Sequence, residues 1–149
     1  MAGGSVALLG LAIRAWATGH LRKNDCLAVS GPYSLTRNPL YFGSFLIGVG
    51  FSLAGRDPTI LVVFLVCFAV LYGPVMQREI DTLKRLFAEQ YASYQESVPL
   101  FFPRLRLPTG SADFSFERYM RNHEYQALLG FLAALAVLVA KIRYLNGRG

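Results

Sequence analysis

Two short stretches of this chain hold the residue types that chemistry on a charged ligand requires. The first is Gly31-Pro32-Tyr33-Ser34-Leu35-Thr36-Arg37-Asn38-Pro39-Leu40-Tyr41-Phe42-Gly43. Asn38 followed by Pro39 suits a helix start, a side-chain cap and then a proline at the first helical position. A helix N-terminus also offers free N–H groups to an anion. Arg37 beside it adds a fixed planar cation that matches a carboxylate or a phosphate. The same residues have a structural reading, with Arg37 as an interfacial anchor and Tyr33 and Tyr41 in an aromatic belt. Spacing alone leaves both open.

The second stretch is Arg78-Glu79, then Phe87-Ala88-Glu89-Gln90-Tyr91, then Val98-Pro99-Leu100-Phe101-Phe102-Pro103. Asp81 has Lys84 and Arg85 three and four residues on, so a solvated helix pair explains it. Glu79 has no basic residue at either spacing, and its one-turn neighbours are Leu83 and Leu86. A carboxylate on the border of an apolar face, just below a membrane helix, is costly unless something pairs with it. A cationic ligand and Arg37 are the candidates. Arg78 reads as a snorkelling anchor, and His123 as an interfacial loop residue.

These residues need a scaffold, and composition says what kind. The chain has 149 residues, which suits one domain over 1–149. Only 16% are charged and 54% are hydrophobic, with mean hydropathy +0.38; soluble proteins average about 25% charged residues. Disorder is excluded, because it requires low hydrophobicity. The net charge of +6 and pI of 9.6 do not make a nucleic-acid binder of so apolar a chain, where basic residues mark membrane topology. Cys26 and Cys67 lack CxxC spacing and nearby histidines, so no disulfide framework or metal site is expected. Cys67, inside an apolar run, reads as a buried packing residue.

Four apolar segments stand out: Gly3–Ala17 interrupted by Arg14, Leu40–Ala54, Pro58–Met76 and Tyr125–Ala140. A spanning helix needs about 20 apolar residues, and Pro58–Met76 has 19 without a charge. Only Gly55, Arg56 and Asp57 separate the second and third segments, a tight helical hairpin. The first segment lacks a basic n-region and is broken by Arg14, so it reads as a short membrane helix and not a signal peptide. The expected fold is all-α, a multi-pass integral-membrane bundle of about four spans. Apolar residues Ile80, Leu83, Leu86, Phe87, Tyr91 and Tyr94 recur at helical spacing, so the third span should continue over Gln77–Tyr94 as a cytoplasmic extension. Pro74 is placed to kink it, and Pro99, Pro103 and Pro108 make 97–112 an extended loop.

Basic residues orient the bundle. Loops 18–38 and 77–124 hold Arg22, Lys23, Arg37, Arg78, Lys84, Arg85, Arg104, Arg106, Arg118 and Arg121, ten in all. The other side has Arg56, Lys141, Arg143 and Arg148, four in all. The excess assigns both long loops to the cytoplasmic face of the cell inner membrane, and a site built from them is cytoplasmic.

The Gly31–Gly43 string resembles the G-P-Y-x-x-x-R-[HN]-P-x-Y-x-G signature of the isoprenylcysteine carboxyl methyltransferase and phospholipid N-methyltransferase superfamily. Arg78-Glu79, Phe87–Tyr91, Tyr94 and Val98-Pro99…Pro103 resemble its second motif, R-E-E…F-G-x-x-Y-x-x-Y…V-P-x-F-x-P. The similarity covers residues from about 5 to 103. It departs at Asn38, where His is frequent, at Ile80 in place of a second Glu, and at Ala88 in place of Gly. The resemblance implies a small helical membrane enzyme that binds S-adenosylmethionine on its cytoplasmic side. By motif position, Tyr33, Asn38, Pro39, Tyr41, Glu79 and Tyr91 would hold the cofactor, with Arg37 and Glu79 at the reacting centre. No metal is implied. The acceptor would be a lipid or an isoprenylcysteine-type carboxylate reached from the bilayer.

A carboxylate acceptor is nucleophilic at neutral pH, whereas an amine must first lose a proton, with Glu79 or His123 as candidate bases. Two other classes remain open: an NADPH-dependent membrane sterol or enone reductase, and a non-catalytic membrane adaptor. Titration with both cofactors separates all three. Nothing in the sequence assigns an oligomeric state.

Overall fold

Small residues decide how the first two helices meet. In the computed structural model, α1 (Ala2–His20) and α2 (Pro39–Ala54) run antiparallel and touch backbone to backbone. A Cβ on Gly10 would lie 2.5 Å from the Gly43 carbonyl oxygen and 2.8 Å from the Ile47 nitrogen. One on Gly50 would lie 2.5 Å from both the Ala7 nitrogen and the Gly3 carbonyl oxygen. Only residues this small let two helices approach so closely, the packing that substitutes for hydrophobic association in lipid. Arg14, the charge that interrupts the first apolar segment, turns into this contact. Its guanidinium donates to Ser44 Oγ and to the Leu40 carbonyl at 3.4 Å.

The structure describes residues 2–21, 26–110, 114–122 and 125–146. After α2, Gly55 and Arg56 turn the chain, Arg56 at φ 55°. Asp57 Oδ1 then accepts from Thr59 N at 2.8 Å and starts α3 (Pro58–Leu86), which returns along α2. The expected hairpin is present. α3 has 29 residues and runs unbroken through Pro74. Among the described residues it is the one helix long and apolar enough to cross a membrane. Phe68 and Ile80 are its buried residues, while Val70 and Leu71 are each 65% exposed. A face that apolar belongs against lipid or protein.

Each of the four apolar segments is a helix, the last being α6 (Tyr125–Asn146). The all-α expectation holds among the described residues, while of the four expected spans α3 alone has the length and apolarity to cross a membrane. Pro39 and the Gly55 turn limit α2 to 16 residues, about 24 Å, and α1 carries Arg14. Cys67 differs from expectation. It is exposed, because the apolar run around it faces outward and not into a protein core.

The continuous helix expected over Gln77–Tyr94 is broken. Phe87, at φ −134° and ψ 43°, ends α3 and starts α4 (Ala88–Ser97). The bend brings Tyr91, Tyr94 and Val98 back onto Leu27 and Ile80, with Leu83 and Phe87 packed alongside. Burial of that cluster is what a straight helix would forfeit. The loop expected over 97–112 is non-helical from Val98 to Gly110, Ser97 closing α4. The short α5 (Phe116–Arg121) is docked on the end of α1 by Asn122, whose Nδ2 donates to the Thr18 and Leu21 carbonyls at 3.3 Å. His123 lies outside the described residues.

Gly43→Ala tests the helix contact. Its Cβ would meet the Gly10 carbonyl oxygen at 2.7 Å, so the helices must separate, at about 1–3 kcal/mol. Gly4→Ala, with nothing within 4 Å, should leave thermal stability in detergent unchanged or slightly raised. Equal melting shifts for both would remove the contact as a determinant of the fold.

Candidate active site

Residues 31–38 form no regular element beyond a 3₁₀ turn at Gly31–Ser34, so other parts of the chain must hold them. Gly31 sits at φ +58° against the His20 ring, where a Cβ would lie 2.7 Å from Nε2. Only glycine meets both conditions. Ser34 Oγ donates to the Gly31 carbonyl at 2.7 Å and accepts from Thr109 N at 2.9 Å. Arg106 Nη2 donates to the Ser34 carbonyl at 2.7 Å, and Arg104 N to the Leu35 carbonyl at 3.0 Å. Tyr94 donates its hydroxyl to the Tyr33 carbonyl at 2.7 Å. Burial, the largest influence on this phenol, pushes its pKa well up and keeps it a donor.

Three further bonds tie this loop to the Pro99–Phe101 turn. Arg37 N donates to the Pro99 carbonyl at 2.9 Å, Asn38 Nδ2 to Leu100 at 2.9 Å and Thr36 Oγ1 to Phe101 at 2.8 Å. Asn38 stands at the N-cap position of α2 with Pro39 first in the helix, as expected, but its side chain makes no cap. The amide is turned to Leu100 instead.

The 31–38 loop then meets α3 across a cavity of about 340 Å³. Tyr33, Arg37 and Asn38 line it on one side, Glu79, Thr82, Leu83 and Phe87 on the other, with Leu21, Cys26, Leu27, Ala28 and Tyr94 completing the wall. That volume falls within the range of about 300–1,000 Å³ typical of small-ligand sites. Pro39, Tyr41 and Tyr91 do not line it. Pro39 is buried at the start of α2. The two tyrosines support the charged residues from outside.

Arg37 Nη1 donates to the Tyr91 hydroxyl at 3.1 Å, and its guanidinium carbon lies 5.9 Å from the centre of that ring. Tyr91 is only 1% exposed and therefore fixed. Arg37 Nε is buried without a hydrogen-bond partner, a donor that a ligand can satisfy. Glu79 Oε2 accepts from the Tyr41 hydroxyl at 2.9 Å, and the Tyr41 ring packs edge-on against Tyr72 at 5.6 Å. The expected partner for Glu79 was a cation. The structure gives a neutral hydroxyl, and Glu79 is exposed, so solvent and Tyr41 together carry its charge. Asp81 also departs from its expected ion pair. Gln77 Nε2 donates to Asp81 Oδ1 at 3.2 Å, and Arg85 reaches the Asp81 carbonyl, not the carboxylate.

A cavity with a guanidinium on one wall, a carboxylate on the other and aliphatic and aromatic groups between them suits a zwitterionic ligand with an apolar body. Among the described residues, no group of three His, Cys, Asp or Glu comes close enough to hold a metal. Sequence reasoning missed Leu27, Thr82 and Leu83 as site residues. Leu27 carries no local signal. Phe87 and Tyr94 fall on motif positions, which placed them in the pattern without giving them this wall.

Residues 3–90 match the phospholipid methyltransferase family, and the chain belongs to it. It is 36% identical over 117 residues to the cobalt-zinc-cadmium resistance protein CzcN of Cupriavidus metallidurans, covering 77% of this chain and 52% of that protein. It is 35% identical over 109 residues to the nickel-cobalt-cadmium resistance protein NccN of Alcaligenes xylosoxydans xylosoxydans, covering 69% and 51%. The chain thus spans about half the length of these curated relatives. No solved structure matches it.

Thr36→Val keeps the shape of the loop and removes the hydroxyl, leaving the Phe101 carbonyl short of its donor. The cost should be about 1–3 kcal/mol, read as a lower melting temperature. Ser93→Ala, at an exposed α4 position, should change it little.

Proposed function

We propose that this member of the phospholipid methyltransferase family binds S-adenosylmethionine in the Arg37–Glu79 cavity and methylates a lipid or isoprenylcysteine-type acceptor. The observation that carries this reading is the placement of opposite charges on two walls of one cavity, each held by its own tyrosine. Arg37, with a buried Nε to offer, suits the cofactor's carboxylate. Glu79 suits its ammonium group. Tyr33, Leu27, Leu83 and Phe87 give the adenosine an apolar bed.

The bound cofactor supplies a sulfonium methyl group already activated for displacement. The chain's residues then have to align, exclude water and stabilise charge. Leu83 and Phe87 exclude water on the α3 side. Arg37, immobilised on Tyr91, fixes one end of the ligand. A carboxylate acceptor needs no base. For an amine acceptor, Glu79 is the carboxylate within the cavity that can take the proton. The two relatives are named for resistance to metal ions, and an altered membrane lipid is a way for a methyltransferase to serve that role without itself holding metal.

The proposed setting is a multi-pass protein of the inner membrane with this cavity on the cytoplasmic face. Exposed Cys26 lies at the cavity wall, so an impermeant thiol reagent should label it from inside-out vesicles and not from intact cells. In a Cys26→Ser background, Arg56→Cys in the α2–α3 turn should show the reverse. The opposite pattern would invert the topology.

Calorimetry with S-adenosylhomocysteine tests the cofactor without knowledge of the acceptor. Wild type should bind. Glu79→Gln should weaken binding by about one to two orders of magnitude, the loss of a charge-assisted bond of roughly 1.5–3 kcal/mol, and Asp81→Asn by much less. Binding of NADPH instead would favour a reductase, and no binding by the folded chain would favour an adaptor.

A further inference from the structure

Arg14 is the charge that interrupts the first apolar segment, and its route across α2 gives it a place. Its stem passes over Gly43, where a Cβ would lie 2.6 Å from the arginine Cγ. Beyond that gap the guanidinium donates to Ser44 Oγ and, at 3.4 Å, to the Leu40 carbonyl. A helix turns about 100° per residue, which sets Ser44 between two faces of α2. On one side Gly43 and Gly50 meet α1. On the other, Tyr41 and Phe45 meet Tyr72 and Phe68 of α3, at 5.6 and 5.3 Å between ring centres. The strip between them, Leu40, Ser44 and Phe51, is only half-buried, as is Arg14. It is the floor of a groove whose walls are α1 and α3. Phe51 and Phe131 of α6, 5.4 Å apart, close that groove two turns beyond Ser44. Its other end runs up to the cavity, because Leu21, two turns on from Arg14 along the same line of α1, is one of the cavity residues.

We propose that this groove is a phospholipid site in which Arg14 binds the phosphate. An ionisable residue within an apolar membrane helix is expensive, and such residues mark the paths and sites of polar ligands. The planar guanidinium fork matches a phosphate bidentately, and Ser44 and Leu40 hold it in line with the groove. Depth selects the source of that phosphate. Leu40 and Ser44 lie within about 8 Å of the start of α2 by helical rise, at the rim of the apolar layer. The anion that a bilayer itself supplies at that rim is a lipid phosphate. Farther along the groove, the rings of Phe45, Phe51 and Phe131 offer an apolar bed for acyl chains. The site needs neither the cofactor nor methyl transfer. One consequence rests on the function proposed above: a lipid so held carries its headgroup to the mouth of the Arg37–Glu79 cavity.

Native mass spectrometry of the full chain, purified in detergent, counts retained lipid directly and needs no cofactor. Dioleoyl phosphatidylglycerol should be retained, and dioleoylglycerol, with the same chains and no phosphate, should not. Arg14→Gln should weaken retention of the phospholipid by about ten- to a hundredfold, the loss of a charge-assisted bond. Arg14→Lys keeps the charge without the fork; it should lose severalfold and serves if the glutamine variant fails to fold. Arg78→Gln, at an exposed position on α3, should change little. Equal retention of the two lipids, unchanged retention in the Arg14 variants, or equal losses at Arg14 and Arg78 would each overturn the site. Inorganic phosphate binding as tightly as the lipid would make it a site for the free anion and overturn it too.

Discussion

Beyond one 3₁₀ turn, residues 31–38 have no helix or sheet to complete their own hydrogen bonds, and the cavity depends on the later segment that does so. The bonds from Arg104, Arg106 and Thr109, with those to Pro99, Leu100 and Phe101, fasten an irregular loop to a second irregular loop, and Tyr94 adds one from α4. Buried backbone groups left unpaired would each cost free energy comparable to a lost hydrogen bond. The pairing is therefore what makes both loops single-valued. It also fixes the height at which α2 begins, because Arg37 and Asn38 are themselves partners in it.

From that fixed start, α2 lies against α1 through glycines and against α3 through Phe45, Phe64, Phe68, Tyr41 and Tyr72. The two charged residues of the cavity come from opposite sides of this arrangement. Each is held by a tyrosine hydroxyl, Arg37 by Tyr91 and Glu79 by Tyr41, and no ion pair joins them among the described residues. Neutral hydroxyls orient a charge without neutralising it. A direct Arg37–Glu79 bridge would have satisfied both groups and left little for a zwitterionic ligand to gain. This separation is the electrostatic feature on which the proposed cofactor site rests.

Much of this was legible in the sequence, and for identifiable reasons. The uncharged run from Pro58, the Gly55–Asp57 break and the Asn38-Pro39 start are local signals, and the helices follow them. Arg37 stood out as a cation beside a helix start and Glu79 as a carboxylate without a helical partner, and both line one cavity. The break at Phe87 was not legible, since helical periodicity continues through it and only burial of Tyr91 and Tyr94 against Leu27 selects the bend. The side chain of Asn38 was misread for a similar reason. A cap is a local option, and a carbonyl 62 residues away outcompeted it. Cys67 was misread because an apolar run signals an apolar surrounding without saying whether lipid or protein supplies it.

The cavity between the Gly31–Asn38 loop and α3 is the proposed seat of the methyl donor. Ultraviolet cross-linking of radiolabelled S-adenosylmethionine, followed by peptide mapping, tests it most directly. Label should appear on peptides containing Tyr33 or Phe87, and excess unlabelled S-adenosylhomocysteine should abolish it. Competable label confined to α6, or none on a folded chain, would show that the cofactor does not bind where Arg37 and Glu79 meet.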